Sequence, residues 1–232
     1  ALVIDHDGIN TLTLDLGEGG ELVLTGVTDD EAPVELTRAI LGGAAGTAPR
    51  QDLPSLTAQM PLSAPTGLYE RLTTMGLQYG PAFQTVRRIG RAGRRLLVEL
   101  VPQVELGRFF LHPTLLDGAF HAMLSLLPDE VTQPVIPTSL ASLRLFRPAR
   151  GALYALVDSA PMAPDGSIRA DLRLYDITGE AVAALRGLEC RPIRPALEGL
   201  TAEEKDWAYV ETTTPVPARE APPAAWAAWV DD

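Results

Sequence analysis

The 232-residue chain has one cysteine, Cys190, one lysine, Lys205, and three histidines. A single thiol excludes an intramolecular disulfide framework and a cysteine-based zinc cluster. No apolar run approaches the ~18 residues of a membrane-spanning helix, so no membrane association is expected. The opening Ala1-Leu2-Val3-Ile4-Asp5-His6-Asp7 lacks the basic region of a signal peptide, and a cytoplasmic location is expected. There is no internal repeat. No Gly-rich loop joins a strand to a helix; Gly42-Gly43-Ala44-Ala45-Gly46 reads as linker rather than a phosphate cradle. Positive charge is also scarce: 19 basic residues face 30 acidic ones, for a net charge of −11, which argues against nucleic acid as a partner.

Apolar residues make up 46% of the chain, enough for a real core, and 20 Gly with 20 Pro point to many turns. The charge is unevenly spread. Residues 1–31 carry acids and no Lys or Arg, and residues 198–232 set eight acids against Lys205 and Arg219. Arginine concentrates in the middle, in Arg87, Arg88, Arg91, Arg94 and Arg95. That cluster reads equally as a docking patch for an anionic partner and as the solvated face of adjoining strands.

Alternation of apolar and polar residues predicts strands over 11–16, 22–27 and 34–41, the first two joined by a Gly17-Glu18-Gly19-Gly20 hairpin turn. Residues 46–64, rich in Ala, Pro, Ser and Thr, read as a linker. Leu68, Leu72 and Met75 fall at helical spacing, with Gly76 as a stop. Further strands are expected at 83–91, 95–102, 135–146, 152–157, 167–175 and 181–193, around a buried helix over 115–127. The whole is an α+β plan, one buried helix wrapped by a curved antiparallel sheet. Residues 196–232 read as an acidic short helix, a Pro/Ala-rich stretch and, from Trp226, the start of another strand.

The most specific segment runs from Leu111 to His121. Pro113 suits the first turn of a helix, where its missing N–H is harmless. Asp117 and His121, four apart, share one helical face and are within hydrogen-bonding reach. Leu115, Leu116, Ala119, Phe120, Met123 and Leu124 make their surroundings dry, and a carboxyl in a dry site suits a general acid. Spacing alone favours the plainer reading, an Asp placed to suit the helix dipole. A second segment, Tyr79-Gly80-Pro81-Ala82-Phe83-Gln84, is by itself a turn ahead of a strand.

Together the two segments resemble the dehydratase domain of modular type I polyketide synthases. That family carries a Tyr-Gly-Pro-x-Phe-Gln segment and, some 30 residues on, His-Pro-x-Leu-Leu-Asp, then Gln or His four after the Asp. Val135-Ile136-Pro137-Thr138-Ser139-Leu140 and Gly187-Leu188-Glu189-Cys190-Arg191-Pro192-Ile193 are similar to the same family. The resemblance implies a double hot-dog fold with 1–45 as a partial first lobe, 46–64 as linker, 65–195 as the second lobe, and 196–232 leading to a ketoreductase-type region. It implies removal of water from a β-hydroxyacyl thioester on an acyl carrier protein. Asp117 would be the general acid and His121 its positioning partner, with Tyr79, Pro81, Phe83, His112 and Pro113 near the substrate. No metal and no cofactor beyond the carrier's phosphopantetheine is implied. Neighbouring synthase domains are the implied partners, and homodimer pairing is compatible with the family.

The family's first-lobe motif, His-x-x-x-Gly-x-x-x-x-Pro, is absent. His6 is followed four later by Asn10, and no Pro precedes Pro33. A complete lobe would need a long helix that 1–45 does not contain, so the base His is expected from a first-lobe part outside the sequence. Two other readings share the scaffold: a non-catalytic domain that docks the carrier protein through the Arg-rich strands, and an isomerase or pyran-forming cyclase.

Overall fold

The computed structural model describes residues 11–27, 33–43 and 48–192. His6, the tail from 196 and the strand expected after Trp226 lie outside the described residues.

Three strands, β1 (Thr11–Leu16), β2 (Glu21–Val27) and β3 (Val34–Ile40), form an antiparallel sheet in that order. The predicted glycine turn closes the first hairpin, with Gly20 N–H donating to the Gly17 carbonyl at 3.2 Å. Period-two alternation puts Leu12, Leu14 and Leu16 on one face, and all three are exposed.

The larger body contains α1 (Leu53–Gln59), α2 (Leu68–Thr74), β4 (Val86–Ala92), β5 (Arg95–Leu100), α3 (Pro113–Met123), β6 (Val135–Ser139), β7 (Ser142–Leu145), β8 (Leu153–Ser159), β9 (Ile168–Asp176) and β10 (Ala181–Pro192). Its seven strands make one antiparallel sheet, ordered β4-β5-β8-β9-β10-β6, with β7 also paired to β10. The inner face wraps α3: Leu115, Ala119, Ala122 and Met123 pack with Leu96, Val98 and Leu100 of β5, Leu153, Ala155 and Val157 of β8, and Leu172 and Leu174 of β9. This is the expected buried helix in a curved sheet.

The linker expected over 46–64 is corrected. Asp52 caps α1, its carboxylate accepting from Ser55 N–H at 3.1 Å, and Pro54 sits in the first turn. Leu53, Leu56 and Met60 then cover the outer sheet face over Leu97, Leu156, Tyr175 and Ala181. Both faces of the sheet's middle are therefore buried, which explains the unbroken Leu96-Leu97-Val98 run in β5. Backbone bridges Arg50–Glu180 and Ser63–Ile89 fasten the segment at either end. Leu56→Ala is expected to cost about 2–3 kcal/mol, as a drop in urea midpoint with unchanged slope.

Two strand limits also shift. The strand expected from Phe83 begins at Val86, because the Gly80-Pro81 turn extends as a 3₁₀ turn over Pro81–Phe83. The expected strand over 135–146 breaks into β6 and β7, which meet β10 on either side of irregular pairing there. The Arg cluster divides. Arg88 pairs with Glu99 directly across the ladder at 2.5 Å, and Arg95 with Asp158 at 2.7 Å. Among the described residues Arg91 reaches the Gly93 carbonyl, and Arg87 and Arg94 have no carboxylate partner.

Candidate active site

The turn before α3 is set by its own sequence. His112 is the N-cap, its Nδ1 accepting from Thr114 N–H at 3.3 Å and lying 2.8 Å from Thr114 Oγ1. Phe109 packs edge-on against the His112 ring at 4.7 Å. Pro113 follows as the first helical residue. The helix thus starts at a fixed point, and Asp117 and His121 fall one turn apart on the same face.

Gly118 lets α3 lie close to the sheet. A Cβ there would stand 2.0 Å from Thr85 Oγ1, which donates to the Thr114 carbonyl at 3.0 Å. The helix therefore turns Gly118 to the sheet and Asp117 to a cleft.

Asp117 Oδ2 lies 2.9 Å from His121 Nε2. Apart from this contact, the buried ring nitrogens of His121 have no hydrogen-bond partner among the described residues. Asp117, 29% exposed, and His121, 1% exposed, thus stand at the hydrogen-bonding distance that their spacing predicts. Buried polar groups normally find partners, so the imidazole stands ready for one.

Two tyrosines confine that ring. Tyr79 lies tilted against it at 3.8 Å, and Tyr69 meets it edge-on at 5.9 Å. The Tyr69 hydroxyl accepts the Val86 N–H at 3.1 Å, tying α2 to β4. Burial, the Asp117 charge and Tyr69 push the Tyr79 phenol up to about 12, so it stays neutral and able to donate. Burial first, and then the Asp117 charge, raises Tyr69 as well, against the opposing Val86 hydrogen bond.

The cleft is lined by Tyr79, Asp117, Phe120 and His121 on one side and by Val135, Ile136, Pro137, Ile168 and Cys190 on the other, with Met123 and Leu124 at its base. Its free volume is about 20 Å³, room for one or two water molecules. Asp117 is the only carboxyl among these lining residues. Of the residues predicted at the site, Asp117, His121 and Tyr79 come together here. Pro81 and Phe83 form the 3₁₀ turn, and His112 and Pro113 form the helix start; none of the four lines the cleft. Sequence reasoning missed Tyr69 and Cys190. Tyr69 sits among the apolar helix positions already recognised, and Cys190 sits on the inward register of a strand.

Among the described residues no cluster of three metal-ligating side chains occurs, and no helix is long and apolar enough to cross a membrane.

Residues 48–199 match the family model described as polyketide synthase dehydratase N-terminal domain. Among curated relatives, polyketide synthase GfsE of Streptomyces halstedii is 36% identical over 134 residues, 55% of this chain and 3% of that protein. The spectinabilin polyketide synthase system protein NorA' of Streptomyces orinoci is 33% identical over 165 residues, 70% of this chain and 4% of that protein. The chain thus corresponds to a few per cent of these large multidomain synthases. Among solved structures, the dehydratase domain of RzxB from Pseudomonas fluorescens superposes with a TM-score of 0.68 at 25% identity, covering 78% of this chain and 67% of that one. The fold is the α+β double hot-dog of such dehydratases. The family model covers well over half of the chain, and the chain belongs to the polyketide synthase dehydratase domain family.

Proposed function

We propose that this chain carries the acid half of a dehydratase that removes water from a β-hydroxyacyl thioester held on an acyl carrier protein. The observation that carries this reading is the single carboxyl, Asp117, set in an otherwise apolar cleft against a buried imidazole. In the proposed step a base takes the α-proton, the α,β double bond forms, and the carboxylic proton of Asp117 passes to the departing hydroxyl, which leaves as water. The step is acid/base chemistry and calls on no metal or organic cofactor.

The body containing α3 is read as the second lobe, on the order of its Tyr79–Gln84 and His112–Asp117 segments, although the matching family is described as an N-terminal domain. The base is assigned to a first-lobe His. His112 is occupied as a helix cap and His121 is the neighbour of the acid. His121 serves as a positioning residue, its 2.9 Å contact with Asp117 tightening when substrate fills the cleft, as active-site hydrogen bonds do on binding. Carrier-protein docking is assigned to the side bearing Arg87, Arg91 and Arg94, whose charges are not taken up by carboxylates among the described residues.

The test is loss of water from a pantetheine-linked 3-hydroxyacyl substrate by the full-length protein, read by mass. His121→Ala is expected to lower kcat roughly 10–100-fold with KM little changed, since it misplaces the acid rather than removing it. His121→Gln, which restores a polar side chain of similar reach, is expected to recover most of the loss. Equal activity of His121→Ala and wild type would remove the positioning role.

A further inference from the structure

The orientation of a working imidazole is usually fixed by the hydrogen bond that its second ring nitrogen makes. His121 has no such bond. Its Nε2 stands 2.9 Å from Asp117 Oδ2, while Nδ1 is buried with no partner among the described residues. A half-turn of the ring about its bond to Cβ would exchange Nε2 for Cε1 and leave Asp117 facing a carbon. Packing must therefore hold the ring. Tyr79 supplies one contact, at 3.8 Å and 49°, and Tyr69 the other, at 5.9 Å and 84°. The second is the edge-on geometry, with centroids about 4.5–7 Å apart, that aromatic pairs prefer.

Tyr69 is distinguished by how firmly it is braced. Its hydroxyl accepts the N–H of Val86, the first residue of β4, at 3.1 Å. Leu68 and Leu72, in the same helix, are buried in the core shared with α3. Two residues on, Arg71 donates to the Leu127 and Pro128 carbonyls at 3.2 and 2.5 Å, just beyond the end of α3. The ring is thus fixed both from the sheet and from the segment that follows the helix bearing His121. Burial first, and then the Asp117 charge, holds the phenol above its usual range, so the brace puts no negative charge beside the acid. Tyr69 does not line the cleft.

We propose that Tyr69 is a positioning residue for dehydration, its braced ring holding the His121 imidazole with Nε2 toward Asp117. This rests on the dehydratase reading above and deepens it. Because Tyr69 stands outside the cleft lining, its influence on turnover passes through the imidazole and not through contact with substrate.

The test uses the full-length protein and water loss from pantetheine-linked 3-hydroxybutyrate, read by mass. Tyr69→Leu is expected to lower kcat about 10-fold with KM little changed. Tyr69→Phe keeps the ring and is expected to recover most of that loss, although the orphaned Val86 N–H lowers its urea midpoint. In a His121→Ala background, Tyr69→Leu is expected to change kcat by less than about 2-fold, because the ring it would release is gone. A merely structural role would cost the same in both backgrounds. A second readout does not need turnover. Carbethoxylation by diethyl pyrocarbonate is followed by mass at His121 and at His112, the cap of the same helix. Tyr69→Leu is expected to speed labelling of His121 severalfold and leave His112 unchanged. Should Tyr69→Leu fail to fold, Tyr69→Met, whose flexible chain fills irregular gaps, takes its place. Selective labelling of His121 with no water loss in any form would support the hold on the imidazole and remove the dehydratase reading. Water loss at the wild-type rate in Tyr69→Leu, an undiminished fall in the His121→Ala background, or labelling that rises equally at both histidines would overturn the role of Tyr69 and leave dehydration standing.

Discussion

Asp117→Asn is expected to lower kcat for water loss by about 10²–10⁴-fold, the usual worth of a positioned general acid. The amide has nearly the shape of the carboxyl but no acidic proton for the departing hydroxyl. Since that proton moves only as the bond breaks, KM is expected to stay near the wild-type value while kcat and kcat/KM fall together. Folding is expected to survive, because Asp117 is 29% exposed and faces the cleft rather than the sheet. An amide at 117 keeps a polar group within reach of His121 Nε2, which stands 2.9 Å from the carboxyl. Asp117→Glu gives a second check. It keeps an acid but moves it by about one methylene, a displacement of the order of 1 Å that costs about 10²-fold in comparable sites. A wild-type rate in Asp117→Asn would take Asp117 out of the chemistry.

These predictions draw on features that differ in how far the sequence disclosed them. The position of Asp117 was legible because α3 announces itself. His112-Pro113 marks the start, and the apolar run that follows is too long for a strand in a chain of short ones. β9 was equally plain from its alternation, with Ile168, Ala170, Leu172 and Leu174 inward and Arg169 and Arg173 outward. α1 was not, because the Ala, Pro, Ser and Thr around it weigh composition toward linker. The deciding signal was local: Asp52 as cap, Pro54 in the first turn, and Leu53, Leu56 and Met60 at helical spacing. The contents of the cleft were legible only in part. Asp117 and His121 come from one helix, so their proximity follows from spacing. Tyr69 and Cys190 reach the same place from α2 and β10 through tertiary packing, which no local pattern encodes. Pro81, Phe83, His112 and Pro113 stand in the recognisable segments because they shape the two turns that aim Tyr79 and α3. A conspicuous sequence segment can thus report backbone geometry rather than contact with a ligand.

The approach of α3 to the sheet makes Gly118 the position where the smallest change has the largest structural effect. Gly118→Ala is expected to destabilise the domain by about 2 kcal/mol or more, although Ala is the better helix former by about 1 kcal/mol. The new methyl would sit 2.0 Å from Thr85 Oγ1 and 3.1 Å from Leu100 Cδ2. Neither neighbour yields freely. Thr85 is 1% exposed and its hydroxyl is committed to the Thr114 carbonyl, while Leu100 is fully buried in β5. Overpacking of this kind costs about 1–3 kcal/mol, and displacing the buried hydroxyl forfeits its hydrogen bond as well. Thr85→Ala alone is expected to cost about 1–2 kcal/mol for that lost bond. Combined, the two changes are expected to cost less than their sum by about 1–2 kcal/mol, because removing Oγ1 frees the space the new methyl needs. Urea midpoints of the four proteins measure this coupling directly. Strictly additive costs would mean that α3 retreats from β5 instead of clashing, and Asp117 would move with it. In that case turnover of Gly118→Ala would stay low in the double variant, whereas a local clash relieved by Thr85→Ala returns the helix, and the acid next to Gly118, to their places.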